Sequence, residues 1–168
     1  MPVAFQGAPA TLGLDAIASR IPHQGAMCLL GGVTAWDGDR IRCEAGSHRA
    51  VNNPLRAHGR LGAACGVEYA AQAMALHGAL IAEAQGASGG GPKNGYLASI
   101  RGLTLHVDRL DDLDGILTIV AERLSGDEHT VLYGFSLHAG RAPLVTGRAV
   151  VVLDAAGFSP GVNPGRNA

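Results

Sequence analysis

Glu68 is a lone carboxylate in a long, otherwise mostly small and apolar stretch, "LGAACGVEYAAQAMALHGALIA", Leu61 to Ala82, between Arg60 and Glu83. A charge buried in such a segment is costly unless it is paired, neutralised or needed. The pairing explanation would use a nearby cation, Arg56 or Arg60. The functional explanation uses burial itself, which disfavours the charged form and suits a glutamic acid to general-acid work. Gln72, four residues on, falls on the same helix face and can orient Glu68 or satisfy nearby backbone. No metal chemistry is expected. The three cysteines, Cys28, Cys43 and Cys65, are scattered and form no CxxC, and His106, His129 and His138 have no ligand-like spacing. The glycine run Gly86–Gly95 lacks the Gly-Lys-Ser/Thr of a phosphate loop, so a linker is expected there. No Gly-x-Ser-x-Gly elbow supports a serine hydrolase.

The elements that must hold Glu68 follow from periodicity and punctuation. Residues 14–20, "LDAIASR", read as a short helix stopped by Ile21-Pro22. "MCLLGGVTAW" and "RIRCEAGS" flank "DGD", a hairpin signal. Asn52-Asn53-Pro54 sets a turn in a polar loop, and a helix is predicted from about Gly62 to Glu83. It is apolar nearly all round, so other structure must wrap it. Four strand-like runs, "YLASIRGLTLHV", "GILTIVAERL", "TVLYGFSLHA" and "LVTGRAVVVL", are expected to form a meander. A curved antiparallel sheet can wrap one helix and leave edge strands to pair across a dimer.

Composition bounds the rest. A chain of 168 residues that is 47% hydrophobic builds one domain with a real core. With 16% charged residues and a net charge of −1, nothing favours a nucleic-acid or anionic-membrane partner. The first residues lack a signal-peptide pattern, and Glu68, Gln72 and His77 spoil the longest apolar stretch as a membrane span, so a cytoplasmic setting is expected. The expected organisation is an N-terminal extension at 1–20, a domain at 21–154 and a flexible tail at 155–168.

The order of elements resembles the hotdog fold, an α+β architecture with an antiparallel curved sheet around one long central helix. "IPHQGAMCLLGGV", Ile21 to Val33, resembles the opening motif of 3-hydroxyacyl-acyl-carrier-protein dehydratases. "GVEYAAQAM", Gly66 to Met74, resembles their central-helix motif, with Glu68 and Gln72 at both matching positions. The catalytic histidine of those enzymes, in a "GHFPG"-type turn, would align with Pro54, so the likeness is to a divergent branch lacking the usual histidine. That branch resembles dehydratases of polyketide or aryl polyene biosynthesis.

The resemblance implies dehydration of a 3-hydroxyacyl thioester, which needs a base at Cα, an acid at the leaving hydroxyl and donors at the thioester oxygen. Glu68 would be the acid or acid/base. His58 or His48 would stand in for the missing histidine, and Asn53 would hold water or the substrate hydroxyl. Amides of Gly62, Ala63 and Ala64 at the helix start would polarise the carbonyl. His23 is read as structural or tunnel-lining, and His77 as packed or at an interface. Arg101, Arg109 or Arg123 would meet a phosphate. The implied carrier is the phosphopantetheine arm of acyl carrier protein or coenzyme A, with no further cofactor. The implied assembly is a homodimer or a hetero-oligomer with another hotdog subunit. Two rivals remain: a hotdog acyl thioesterase in which Glu68 activates water, and a non-catalytic or half-site subunit that pairs with a complete dehydratase.

Overall fold

A computed structural model describes residues 11–87 and 95–153. The expected tail and most of the Gly86–Gly95 linker lie outside the described residues. The elements are α1 (Leu14–Ala18), β1 (Gly32–Trp36), β2 (Arg40–Ala45), α2 (Gly66–Ala84), β3 (Gly95–Leu105), β4 (Leu117–Gly126), β5 (Thr130–Ala139) and β6 (Ala142–Leu153). Asp37 makes the β1–β2 turn by local chemistry. Its Oδ1 accepts from the amides of Asp39 (2.9 Å) and Arg40 (3.0 Å).

All strands join one antiparallel sheet in the order β1-β2-β4-β5-β6-β3. The expected meander is therefore broken at its first step, because β3 pairs with β6 and not with β4. The reason lies in the link between β3 and β4, which reads as turns but is pinned elsewhere. Ala63 N–H donates to Asp108 O, Leu110 N–H donates to Leu61 O, and Leu110 is fully buried. Asp111 adds a side-chain bond, accepting from Leu61 N–H at 2.9 Å. The link is thus a crossover tied to the loop leading into α2, and it carries β3 to the far edge.

The helix lies on the inner face of the sheet. Tyr69, Ala70, Ala73 and Leu76 are buried against strand residues such as Ile41, Ile119 and Leu137. A fully buried leucine or isoleucine adds about 1.5–3 kcal/mol relative to an exposed one, so this interface is what fixes the helix. Gly66 sets the closeness of approach: a Cβ there would sit 3.0 Å from both Leu137 Cδ2 and Val145 Cγ2. The helix starts later than expected, at Gly66, after a 3-10 turn at Ala63–Cys65.

His77 is packed, as its position in the apolar helix suggested. Its Nε2–H donates to Asp37 O at 2.7 Å, which leaves Nδ1 to accept from Tyr133 OH at 3.0 Å. Burial pushes the His77 imidazole below its ordinary 6.5 and the Tyr133 phenol up to about 12. His48 is also pushed down, chiefly by burial. Below pH 6.5 the unfolded chain takes up protons at these histidines while the native chain does not, so stability falls as pH drops through that window. Urea midpoints are expected to be lower at pH 5 than at pH 7.5. Equal midpoints would contradict this, and carboxylate protonation enters only at still lower pH.

Candidate active site

Two segments meet at Glu68. The first is the opening turn of α2, which carries Glu68 itself. The second is the stretch 21–30, anchored by the buried side chains Ile21, Leu29 and Leu30 and turned at Gly25, whose φ is +58°. Gln72 joins them. Its Oε1 accepts from Leu29 N–H at 2.9 Å, and its Nε2 donates to Met27 O at 2.7 Å and to Glu68 Oε1 at 3.1 Å. An amide N–H can only donate and a carbonyl only accept, so the orientation of the carboxamide is unambiguous. Gln72 therefore both orients Glu68 and satisfies backbone within its own chain.

That stitching brings His23 over the carboxylate, with Nε2 3.0 Å from Glu68 Oε1. Oε1 thus receives Gln72 and faces His23, while Oε2 has no partner among the described residues. Oε2 is therefore the carboxylate oxygen left open to a ligand in the cleft. His23 Nδ1 is buried without a partner among the described residues, and Nε2 is the ring atom that faces Glu68. Both side chains remain about a quarter to a third exposed, at 26% and 33%. They open into a cleft of about 880 Å³ that runs along α2 past Ala71, Ala75 and Gly78, with Leu97 of β3 and Val131 of β5 opposite.

Several sequence expectations change here. The histidine at Glu68 is His23, read above as structural or tunnel-lining, and not His48 or His58. His48 is fully buried with Nε2 bonded to Leu113 O at 3.1 Å, so it ties down the crossover link. His58 is exposed at φ +52°, in the two-residue turn between Ala57 and Arg60, which pair with each other. Asn53 is consumed by structure. Its Nδ2 donates to Ser47 O and to Tyr69 OH, and its Oδ1 accepts from Leu55 N–H. Of the three proposed carbonyl donors, Ala63 N–H is already spent on Asp108 O. The Gly62–Arg109 bridge is made by the flanking amides, so the N–H groups of Gly62 and Ala64 remain without a hydrogen-bond partner among the described residues.

The pairing of Glu68 with an arginine also fails. Arg56 lies 3.5 Å from Asp111 and donates to Ala50 O, and Arg60 donates to Asp108 O. Asp111 is held well below the usual carboxylate range, chiefly by Arg109, which removes Arg109 from the phosphate candidates. Arg123 does line the far end of the cleft, while Arg101 is on the other face of the sheet. Among the described residues no group of three or more His, Cys, Asp or Glu can hold a metal ion, and no helix is long and apolar enough to cross a membrane. The signal that pointed to His23 was its place in the "IPH" motif; nothing in local spacing links it to Glu68.

Comparison with known proteins bears on the fold and the family. The family model described as ApeP-like, ApeP dehydratase, matches residues 15–157. The dehydratase heterocomplex ApeI:P from Xenorhabdus doucetiae matches with a TM-score of 0.73 and 22% identity, over 85% of this chain and 91% of that one. A point mutant of the thioesterase enzyme SAV0944 from Staphylococcus aureus matches with a TM-score of 0.54 and 12% identity, over 73% and 91%. A point mutant of the thioesterase PA1618 from Pseudomonas aeruginosa matches with 0.51 and 15%, over 72% and 78%. These structures share the hotdog fold with this chain. No curated protein matches it.

Proposed function

The chain belongs to the ApeP-like dehydratase family, and on that premise we propose that it dehydrates 3-hydroxyacyl thioesters with His23 and Glu68 as its acid–base pair. The observation that carries this reading is the 3.0 Å approach of His23 Nε2 to a glutamate already held by Gln72. It supplies a histidine to a carboxylate whose motif had lost one. In the elimination, His23 Nε2 takes the Cα proton and the Glu68 carboxyl group gives its proton to the C3 hydroxyl. The C3–O bond breaks, water leaves and the enoyl thioester remains. The proton on Nε2 then passes to the Glu68 carboxylate and restores both groups.

The acyl chain lies along the small-residue face of α2, delivered on the phosphopantetheine of acyl carrier protein or coenzyme A, with Arg123 as a contact for its charged end. No further cofactor enters this reading. The pathway would be fatty acid, polyketide or aryl polyene synthesis. The assembly follows from strand β3, a long sheet edge with Tyr96 and Leu97 exposed at 55% and 40%. An unpaired edge of that length invites another strand, and the partner would be a second hotdog subunit, as in the ApeI:P heterocomplex.

His23→Ala is expected to lower enoyl formation by about 10²-fold or more, the scale of lost general acid–base catalysis. His58→Ala is expected to leave it unchanged. The check is turnover of a 3-hydroxyacyl thioester by each variant, followed by enoyl absorbance and by thiol release. The reverse pattern would return the role to the loop histidine. Free thiol and 3-hydroxy acid without enoyl product would replace dehydration by thioester hydrolysis.

A further inference from the structure

The outer face of the sheet, away from α2, carries a second concavity that the proposed chemistry does not use. It measures about 560 Å³ and is floored at Gly134 of β5, where the nearest atoms to a missing Cβ belong to Leu124 on its wall; Gly147 also borders it, but its missing Cβ would face inward against Phe135. Arg101 of β3 stands directly opposite Arg148 of β6 in the register, so both side chains leave the same face on its wall. Both are exposed, and neither guanidinium has a hydrogen bond or ion pair among the described residues. Like charges directly opposite on adjacent strands repel, a cost that an anion between them removes. Beside Arg101 the strand bulges: Gly102 has φ +58°, and the register shifts between Arg101 and Thr104. Such bulges re-aim the neighbouring side chain.

We propose that this hollow binds a phosphate monoester, gripped by the guanidinium forks of Arg101 and Arg148 and by the hydroxyls of Ser136 and Thr146, which also line it. Two planar forks and two hydroxyls suit a tetrahedral oxyanion that offers several acceptors. Glu122 lies on the opposite wall, and its strand position pairs with Gly134, which in turn pairs with Arg148. Two strand spacings of about 4.8 Å put Glu122 roughly 10 Å from Arg148, near the screening length of physiological salt. The adjacent arginines, one spacing apart, therefore dominate the local field. Farther out on the face β2 adds charges of both signs, Arg42 and Glu44. His138 is pushed down by burial and then by its neighbours Arg42 and His106.

The test titrates the full chain with inorganic phosphate and, separately, with pantetheine 4′-phosphate, reading backbone amide shifts and heats of binding. Saturable binding is expected at the β3–β6 amides. It should weaken at least about tenfold in Arg101→Gln/Arg148→Gln, tighten in Glu122→Gln and stay unchanged in Glu68→Gln. Arg148→Lys keeps the charge but loses the fork, and is expected to lose most of the affinity for the ester. Tighter binding of the ester than of inorganic phosphate identifies the monoester as the ligand, whereas equal binding leaves a site for free phosphate and overturns the ester assignment. Absence of saturation, or saturation indifferent to both arginines, overturns the site itself. Neither result bears on His23 and Glu68, which lie on the helix side of the sheet.

Discussion

Replacing Glu68 with glutamine is expected to lower enoyl formation from a 3-hydroxyacyl thioester by about 10²–10⁴-fold, the range for removing a positioned acid or base. The carboxamide has nearly the same shape and can still accept from Gln72, whose Nε2 now reaches Glu68 Oε1 at 3.1 Å. It cannot give up a carboxyl proton, nor take one back from His23 across the present 3.0 Å approach. The side chain is one-third exposed and makes no other hydrogen bond or ion pair among the described residues, so the melting temperature should move by no more than a degree or two. Turnover is measured on this chain alone and with a hotdog partner added. Loss in both settings supports the His23–Glu68 site. Full activity of the mutant assembly would withdraw the role of Glu68 and leave the chain as the non-catalytic subunit of a pair.

Gln72→Leu is expected to be the most damaging single change to stability at the site. The side chain is fully buried and makes three hydrogen bonds with one carboxamide. A leucine of similar volume leaves the Leu29 amide buried without an acceptor, at about 1–3 kcal/mol. The half-buried Met27 carbonyl loses its donor as well and adds a smaller amount. A total of about 2–4 kcal/mol lowers the melting temperature of a chain this size by roughly 5–15 °C. Activity should fall with it even where the protein stays folded, because the stretch that carries His23 is no longer tied to α2. Thermal melts and turnover well below the transition separate the two effects. An unchanged melting temperature would mean that solvent, not Gln72, satisfies the Leu29 amide.

Legibility in the sequence depends on distance along the chain. Glu68 and Gln72 can be placed on one helix face because residues four apart meet in any α-helix, whatever surrounds it. The β1–β2 turn is equally local, since Asp37 caps amides two and three residues on. The helix starts a turn later than its composition predicts, at Gly66 after the 3-10 turn Ala63–Cys65, on a segment that the Ala63–Asp108 bond ties to the crossover link. Asn53 and His48 look available in a polar loop, and only burial against Tyr69 and Leu113 shows them spent.

Three features follow from the chain alone: the element types, the wrapping of one apolar helix by strands, and the pairing of a carboxylate with a glutamine one turn away. Each rests on periodicity or turn chemistry within a few residues. Two features emerge only from the folded packing: which histidine serves Glu68, and where β3 goes. Gln72 reaches Leu29 across 43 residues, and that bond, not any spacing near Glu68, brings His23 to the site. β3 leaves β4 for β6 because its outgoing link is held at Leu61 by Asp111 and Leu110. Contacts of that range depend on packing and register, which a local pattern does not encode.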